Sequence, residues 1–180
     1  SDVMLNNSIE NLEYEISTVL RKLSREKSTS IAFLRGQSEL PTKKISDAAN
    51  GLSDFYIVDT VNINGRLNAL KDYKLLIIAK PDSAFDEKDK FVIDQFIMKG
   101  GRVLWLIDKL AMNMDSLEKR STNVAIPLEL NIDDMLFRYG VRVNHDLVVD
   151  IQAAPIPVQT GYVGNRPQHT LMPWYYFPVV

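Results

Sequence analysis

The chain of 180 residues contains no cysteine. That absence removes disulfides, thiolate metal sites and every cysteine nucleophile, while leaving the cellular compartment open. Histidine is nearly missing as well. His145 and His169 are the only two, and neither has a second ligand at a spacing such as H-x-x-x-H, so no metal centre and no cofactor is expected. Basic charge shows no excess: the formal net charge is −2, which argues against nucleic acid as the main partner. No apolar run reaches the length needed to span a bilayer, and no signal peptide opens the chain. Glycine is sparse at 8 residues, and no stretch has the G-x-G-x-x-G or G-K-[ST] form of a phosphate-cradling loop. Several serines are present, but none lies in a G-x-S-x-G elbow.

What is present is the alternation of an α/β domain. Leu75-Leu76-Ile77-Ile78-Ala79 is too short for a helix and apolar throughout, as a strand buried on both faces should be. Ser83-Ala84-Phe85-Asp86 has the S-x-x-D form of a helix start, and Phe91, Val92, Phe96 and Lys99 recur at helical spacing. Gly100-Gly101 can close that helix, and Val103 to Ile107 reads as a second buried strand with Trp105 in the core. Residues 75–108 therefore form a β-α-β unit with a right-handed crossover. Upstream, Asn7 to about Arg25 predicts a helix, with Ile9, Leu12, Ile16, Val19, Leu20 and Leu23 in one stripe. A strand over Ser28 to Leu34, a helix over Thr42 to Leu52 and a strand over Phe55 to Val61 follow.

The fold class expected is an open, mostly parallel, doubly wound α/β sheet over residues 1–150. A β-rich extension over 151–180, belonging to the same domain, completes it. Lys109 to Leu130 shows no period and reads as a functional insertion or a hidden helix. Met112, Met114 and Leu117 fall inside it. Asn131 to Tyr139 predicts a short helix capped by Asn131 and stopped by Gly140, and Leu147 to Asp150 a further strand. From Ala153 the prolines suggest short extended segments. Ser1-Asp2-Val3 and the apolar run Pro173 to Val180 read as the ends of a domain excised from something longer.

Ligands of open α/β sheets bind outside the carboxyl ends of the strands, where strand order reverses. The loops there contribute Gly36, Gln37 and Glu39 after the first strand, Asp82 after the third and Asp108 after the fourth. A helix N-terminus beside Gly36 offers free N–H groups to an anion, yet no cluster of cations converges, so a polar sugar or peptide fragment suits these side chains better than a phosphate. Asp82 with Asp108 or Glu39 would be the acid and base of a carboxylate-dependent hydrolase. A nucleotide binder would need the Gly36 loop to wrap a phosphate. Read from the residues alone, the chain declares an architecture and not an activity.

Several stretches resemble one family. Ser8 to Glu15, Leu20 to Leu23, Ile31 to Leu34, Phe91 to Asp108 and Asp134 to Val141 are similar to the auxiliary component of gliding-motility ABC transporters, the GldG type. The similarity runs over roughly residues 8–150, and Asp94 to Asp108 is its most specific part. It implies an α/β sandwich related to a domain of intraflagellar-transport proteins and distantly to glutamine-amidotransferase-like folds, in keeping with the flavodoxin-like sheet expected from the element order. It further implies a membrane-anchored parent with this domain on the periplasmic side of the bacterial inner membrane, partnered by an ABC ATPase and permease. Envelope components are further implied partners. Family members often carry Gly-His-Gly-Glu after the first strand. Here the sequence is Gly36-Gln37-Ser38-Glu39, so only Gly36 and Glu39 carry over. Amidotransferase relatives that perform chemistry use a cysteine, which this chain lacks. The function implied is a non-catalytic binding domain.

Overall fold

The computed structural model describes residues 12–20, 28–112 and 124–179. Its centre is a four-stranded sheet of β1 (Ser30–Arg35), β2 (Ile57–Asn62), β3 (Leu75–Ala79) and β4 (Arg102–Leu106). All pairs are parallel and the spatial order is β2-β1-β3-β4. Three helices accompany it within the same stretch: α1 (12–20), α2 (Thr42–Ser53) and α3 (Glu87–Met98). After them come a two-residue antiparallel pair, β5 (Leu110–Ala111) with β6 (Ile126–Pro127), then α4 (Asp133–Arg138). A long antiparallel hairpin of β7 (Ala153–Val163) and β8 (Arg166–Pro178) follows.

The strands' period of two sends alternate side chains to opposite faces. Ala32, Leu34, Leu76 and Ile78 point to one, where they meet Val92, Ile93 and Phe96 of α3 and Met135 and Leu136 of α4. Ile31, Phe33, Ile77 and Ala79 point to the other, where among the described residues only Ile45 of α2 joins them as a buried partner, with Leu40, Ala49 and Leu52 partly buried beside it. The second face is thus far more thinly covered. Leu104 and Leu106 stand beside Ile77 and Ala79 in register, yet remain 45% and 50% exposed. The fourth strand was expected to be buried, and this is a correction: β4 is an edge strand with one apolar side open. Val103, Trp105 and Ile107 do pack on the main core, Trp105 edge-on to Phe85 at 6.1 Å.

Helix ends explain other departures from the sequence reading. The α3 start is not Ser83: Asp86 is the cap, and its Oδ1 accepts from Asp89 N at 2.6 Å. An aspartate three residues before the first buried turn outcompetes a serine held elsewhere, since Ser83 Oγ bonds Ser38 Oγ at 2.9 Å. Phe91 is exposed, because the buried face runs through Val92, Ile93 and Phe96. At the far end Gly100 takes φ +87°, and a Cβ on Gly101 would lie 2.4 Å from the Phe96 ring, so the two glycines serve different needs. Asn131 does not cap α4. It sits at φ +55°, and its Nδ2 donates to Phe85 O at 2.9 Å and Glu87 Oε1 at 3.0 Å.

The region after Asp108 differs most. The insertion is bracketed by the β5–β6 pair, while Met114 and Leu117 lie outside the described residues, as do the ends of the predicted first helix. Leu147 to Asp150 is not a strand, and its apolar side chains are exposed, so β-branched composition there did not find a ladder partner. The prolines beyond Ala153 do not break the chain into short pieces. Pro155 faces Pro173 across the hairpin, and neither can donate, so this register pair does not exchange ladder hydrogen bonds. By alternation Pro157 also turns its nitrogen outward, leaving both long strands intact. The segment through Tyr175 and Phe177 is a strand, but an exposed one rather than core.

Candidate functional site

Strand order reverses between β1 and β3, so the loops after these strands flank the crevice where such sheets bind ligands. Backbone conformation marks the same place. Ser38, Asn64 and Lys80, each in the loop after one of the first three strands, have φ of 56°, 45° and 51°. Left-handed non-glycine residues are uncommon and gather where surrounding structure over-determines them. Gly36 reaches φ +133°, and a Cβ there would come within 3.3 Å of Asn62 Oδ1.

The side chains fill the crevice from within. Glu39 folds back so that its Oε2 accepts from Gly36 N at 3.0 Å and Gln37 N at 3.1 Å. Two successive N–H groups of this kind form an anion nest, and here the chain's own carboxylate occupies it. Gln37 O accepts from Asp82 N at 2.9 Å and Ser83 N at 3.1 Å, tying the β1 loop to the β3 loop. The Gln37 side chain is buried and donates from Nε2 to Asp89 Oδ2 at 3.0 Å. Asp89 Oδ1 accepts from Gly65 N at 2.8 Å, which brings in the loop after β2. One buried aspartate on α3 thereby joins two loops at the sheet edge. Gln37 Oε1 and Glu39 Oε1 are buried acceptors without a hydrogen-bond partner among the described residues.

Of the five residues predicted from sequence, Gly36, Gln37 and Glu39 are linked directly, and Asp82 joins through its backbone N–H. Asp108 belongs to a separate contact: Lys80 Nζ lies 2.9 Å from its Oδ2, with both side chains well exposed. Asp89 escaped the sequence reading, although a signal existed. It falls three and four residues before Val92 and Ile93, and a carboxylate on the apolar stripe of a helix needs a buried partner.

A second polar network anchors α4. Lys90 Nζ, nearly buried, lies 2.7 Å from Asp134 Oδ1 and 3.0 Å from Glu87 Oε1. Burial works to lower the Lys90 pKa, but the hydrogen bonds to Asp134 and Glu87 outweigh it and leave it raised. The hydrogen bond from Lys90 holds the Asp134 carboxyl below its ordinary range. Glu87 is lowered as well, first by Asn131 and then by Lys90. Lys109, whose side chain is 1% exposed, places Nζ 2.8 Å from both carboxylate oxygens of Asp133. Burial, followed by a 2.6 Å hydrogen bond to Asp94, pushes the Tyr139 phenol up to about 12. The lysine contacts are ion pairs and the Tyr139 contact a hydrogen bond, and in all of them the carboxylates are engaged rather than poised.

Between the end of β4, residues 142–148 and the hairpin lies an open cavity of 520 Å³ whose wall includes Asp108, Met112, Arg142, Trp174 and Tyr176. Trp174 Nε1 is buried and has no partner among the described residues. Among these residues no cluster of three or more His, Asp or Glu could hold a metal ion, and no helix is long and apolar enough to cross a membrane.

Residues 28–180 match the ABC transporter auxiliary family, described as an "ABC-type uncharacterized transport system". No curated protein matches. Among solved structures, the "mmIFT52 N-terminal domain" is similar with a TM-score of 0.51 and 17% identity. The likeness covers 81% of this chain and 66% of that one. At that identity it speaks to the fold alone.

Proposed function

The chain belongs to the ABC-type transport-system auxiliary family, and we propose that it works there as a non-catalytic interaction domain of the GldG type. In this reading it is the soluble part of a membrane-anchored protein on the periplasmic side of the inner membrane. It bears on the ATPase and permease of a transporter that serves gliding motility. The observation that carries the reading is the self-filled crevice. Where sheets of this kind hold substrates or nucleotides, Glu39 occupies the donor nest and Gln37 with Asp89 laces the loops together. A phosphate would have to displace an internal carboxylate, and an acid/base pair with Asp82 would have to draw on Glu39 or Asp108, both already engaged. What remains for function is surface.

Co-purification of the membrane-anchored parent from gently solubilised native membranes, with and without this domain, tests the proposal. Recovery of the ATPase and permease only with the domain supports a coupling module. Equal recovery without it removes that role.

A small-ligand reading, for a sugar or peptide, is favoured by one specific observation. Gln37 Oε1 and Glu39 Oε1 are buried acceptors left without donors, beside three left-handed residues. Opening of the loop would present both to a ligand's hydroxyl or amide groups. A thermal-stability screen against saccharides and short peptides checks this, because a ligand at about 100 times its Kd adds about 2.7 kcal/mol. A Glu39→Ala variant should lose any such shift.

A further inference from the structure

Among the described residues two apolar faces lack a cover, and they match. Parallel sheets are normally covered on both sides. Here the second face has one described helix, α2, whose Ile45 packs with Ile31, Phe33, Ile77 and Ala79. Leu104 and Leu106 continue that face onto β4 and are about half exposed. The other orphan is α1. Its stripe of Leu12, Ile16, Val19 and Leu20 is 50–61% exposed, so the helix does not lie on its own sheet. A helix whose apolar stripe meets no tertiary surface has little reason to persist, because most helical stability comes from packing.

We propose that α1 of one copy covers the open β4 flank of a second copy, reciprocally, so that two chains complete each other's sheets. Charge favours this pairing over α1 against α1. Glu13 and Glu15 flank the α1 stripe, whereas Arg102 shares the open face with Leu104 and Leu106 and is exposed. Two α1 helices laid stripe to stripe would bring these glutamates toward one another. Size is adequate: the reciprocal contact gathers twelve large, half-exposed apolar side chains, burying on the order of 1,000 Å², the lower bound for a specific interface. An exchange of this form is closed under a two-fold axis and leaves no free copy of either face. The inference stands apart from the transporter reading, since it needs only the two faces.

The cysteine-free chain makes the test clean. Ile16→Cys and Leu104→Cys are prepared as separate single variants, mixed and oxidised mildly, with Ile16→Cys plus Leu67→Cys as the control pair. Leu67 is 67% exposed and belongs to neither face. The expected result is a covalent heterodimer at least about tenfold above the control, together with a dimer of the unmodified chain in sedimentation. Ile16→Asp and Leu104→Asp should each shift that equilibrium toward monomer, with the circular dichroism spectrum losing at most the contribution of α1. In a chain that carries both Ile16→Cys and Leu104→Cys, a disulfide formed only within one chain would overturn the exchange. So would preferential Ile16–Ile16 linkage, or a monomeric chain without cross-links.

Discussion

Asp89 offers the sharpest test of how the crevice is held. Two donors, Gln37 Nε2 and Gly65 N, end on its carboxylate in a buried site. In Asp89→Ala both lose their acceptor, at about 1–3 kcal/mol each, so a loss of roughly 2–6 kcal/mol is expected. Asparagine is a different case. Its Oδ1 can still accept from Gly65, and the Gln37 amide can turn over to present Oε1, which has no partner now, to the new Nδ2. One orphan is exchanged for another, and the cost reduces to the lost charge assistance, about 1–2 kcal/mol. Urea unfolding followed by circular dichroism would measure both. At mid-range the two variants differ by about 2.5 kcal/mol, so in thermal melts the gap between them should be about 5–10 °C, at about 2–4 °C per kcal/mol for a domain of this size. Equal destabilisation by alanine and asparagine, or an alanine variant within about 0.5 kcal/mol of the parent, would refute the network.

Gly101→Ala should destabilise by about 1–3 kcal/mol because its Cβ meets the Phe96 ring, whereas Gly100→Ala, with open space but φ +87°, should cost about 1 kcal/mol; chemical denaturation separates the two. Lys109→Met should remain within about 1 kcal/mol of the parent, since an apolar side chain of similar size fills the buried site and the half-exposed Asp133 returns to water, while Asp133→Ala should cost about 3 kcal/mol by stranding a buried ammonium. For Tyr139 the fold favours the neutral phenol. Its stabilisation is complete below the ordinary tyrosine pKa of about 10 and is lost as pH climbs toward the folded value of about 12. Thermal melts across that window should fall less steeply for Tyr139→Phe, in which Tyr73, also raised by burial and Asp59, is unchanged.

The β-α-β heart was legible because its signals were local. Leu75 to Ala79 matched the observed strand, and Gly100-Gly101 marked a real helix end, since both depend on a few consecutive side chains. Helix starts were harder: Ser83 and Asn131 had capping chemistry but were claimed by tertiary partners. The least legible matter was which face met solvent. Leu104 and Leu106 read as buried, but their exposure depends on β4 being an edge, a property of strand order rather than of any window of sequence. In the site, Gly36, Gln37 and Glu39 could be placed at a strand end. That Glu39 would turn inward and Asp89 would reach across from α3 required the three-dimensional arrangement of three loops.

The outward-turned prolines of the hairpin carry a consequence for its solubility. Pro155, Pro157 and Pro173 strip donors from both rims of a ribbon that also displays Leu171, Tyr175 and Phe177 to solvent. Such a ribbon cannot readily be lengthened sideways by another strand, because an incoming chain would find gaps in the ladder. Its apolar surface can therefore stay open without seeding fibrils, and any companion must approach broadside, onto the flat of the ribbon. The hairpin is in this sense a surface protected against its own kind and left available to a differently shaped one.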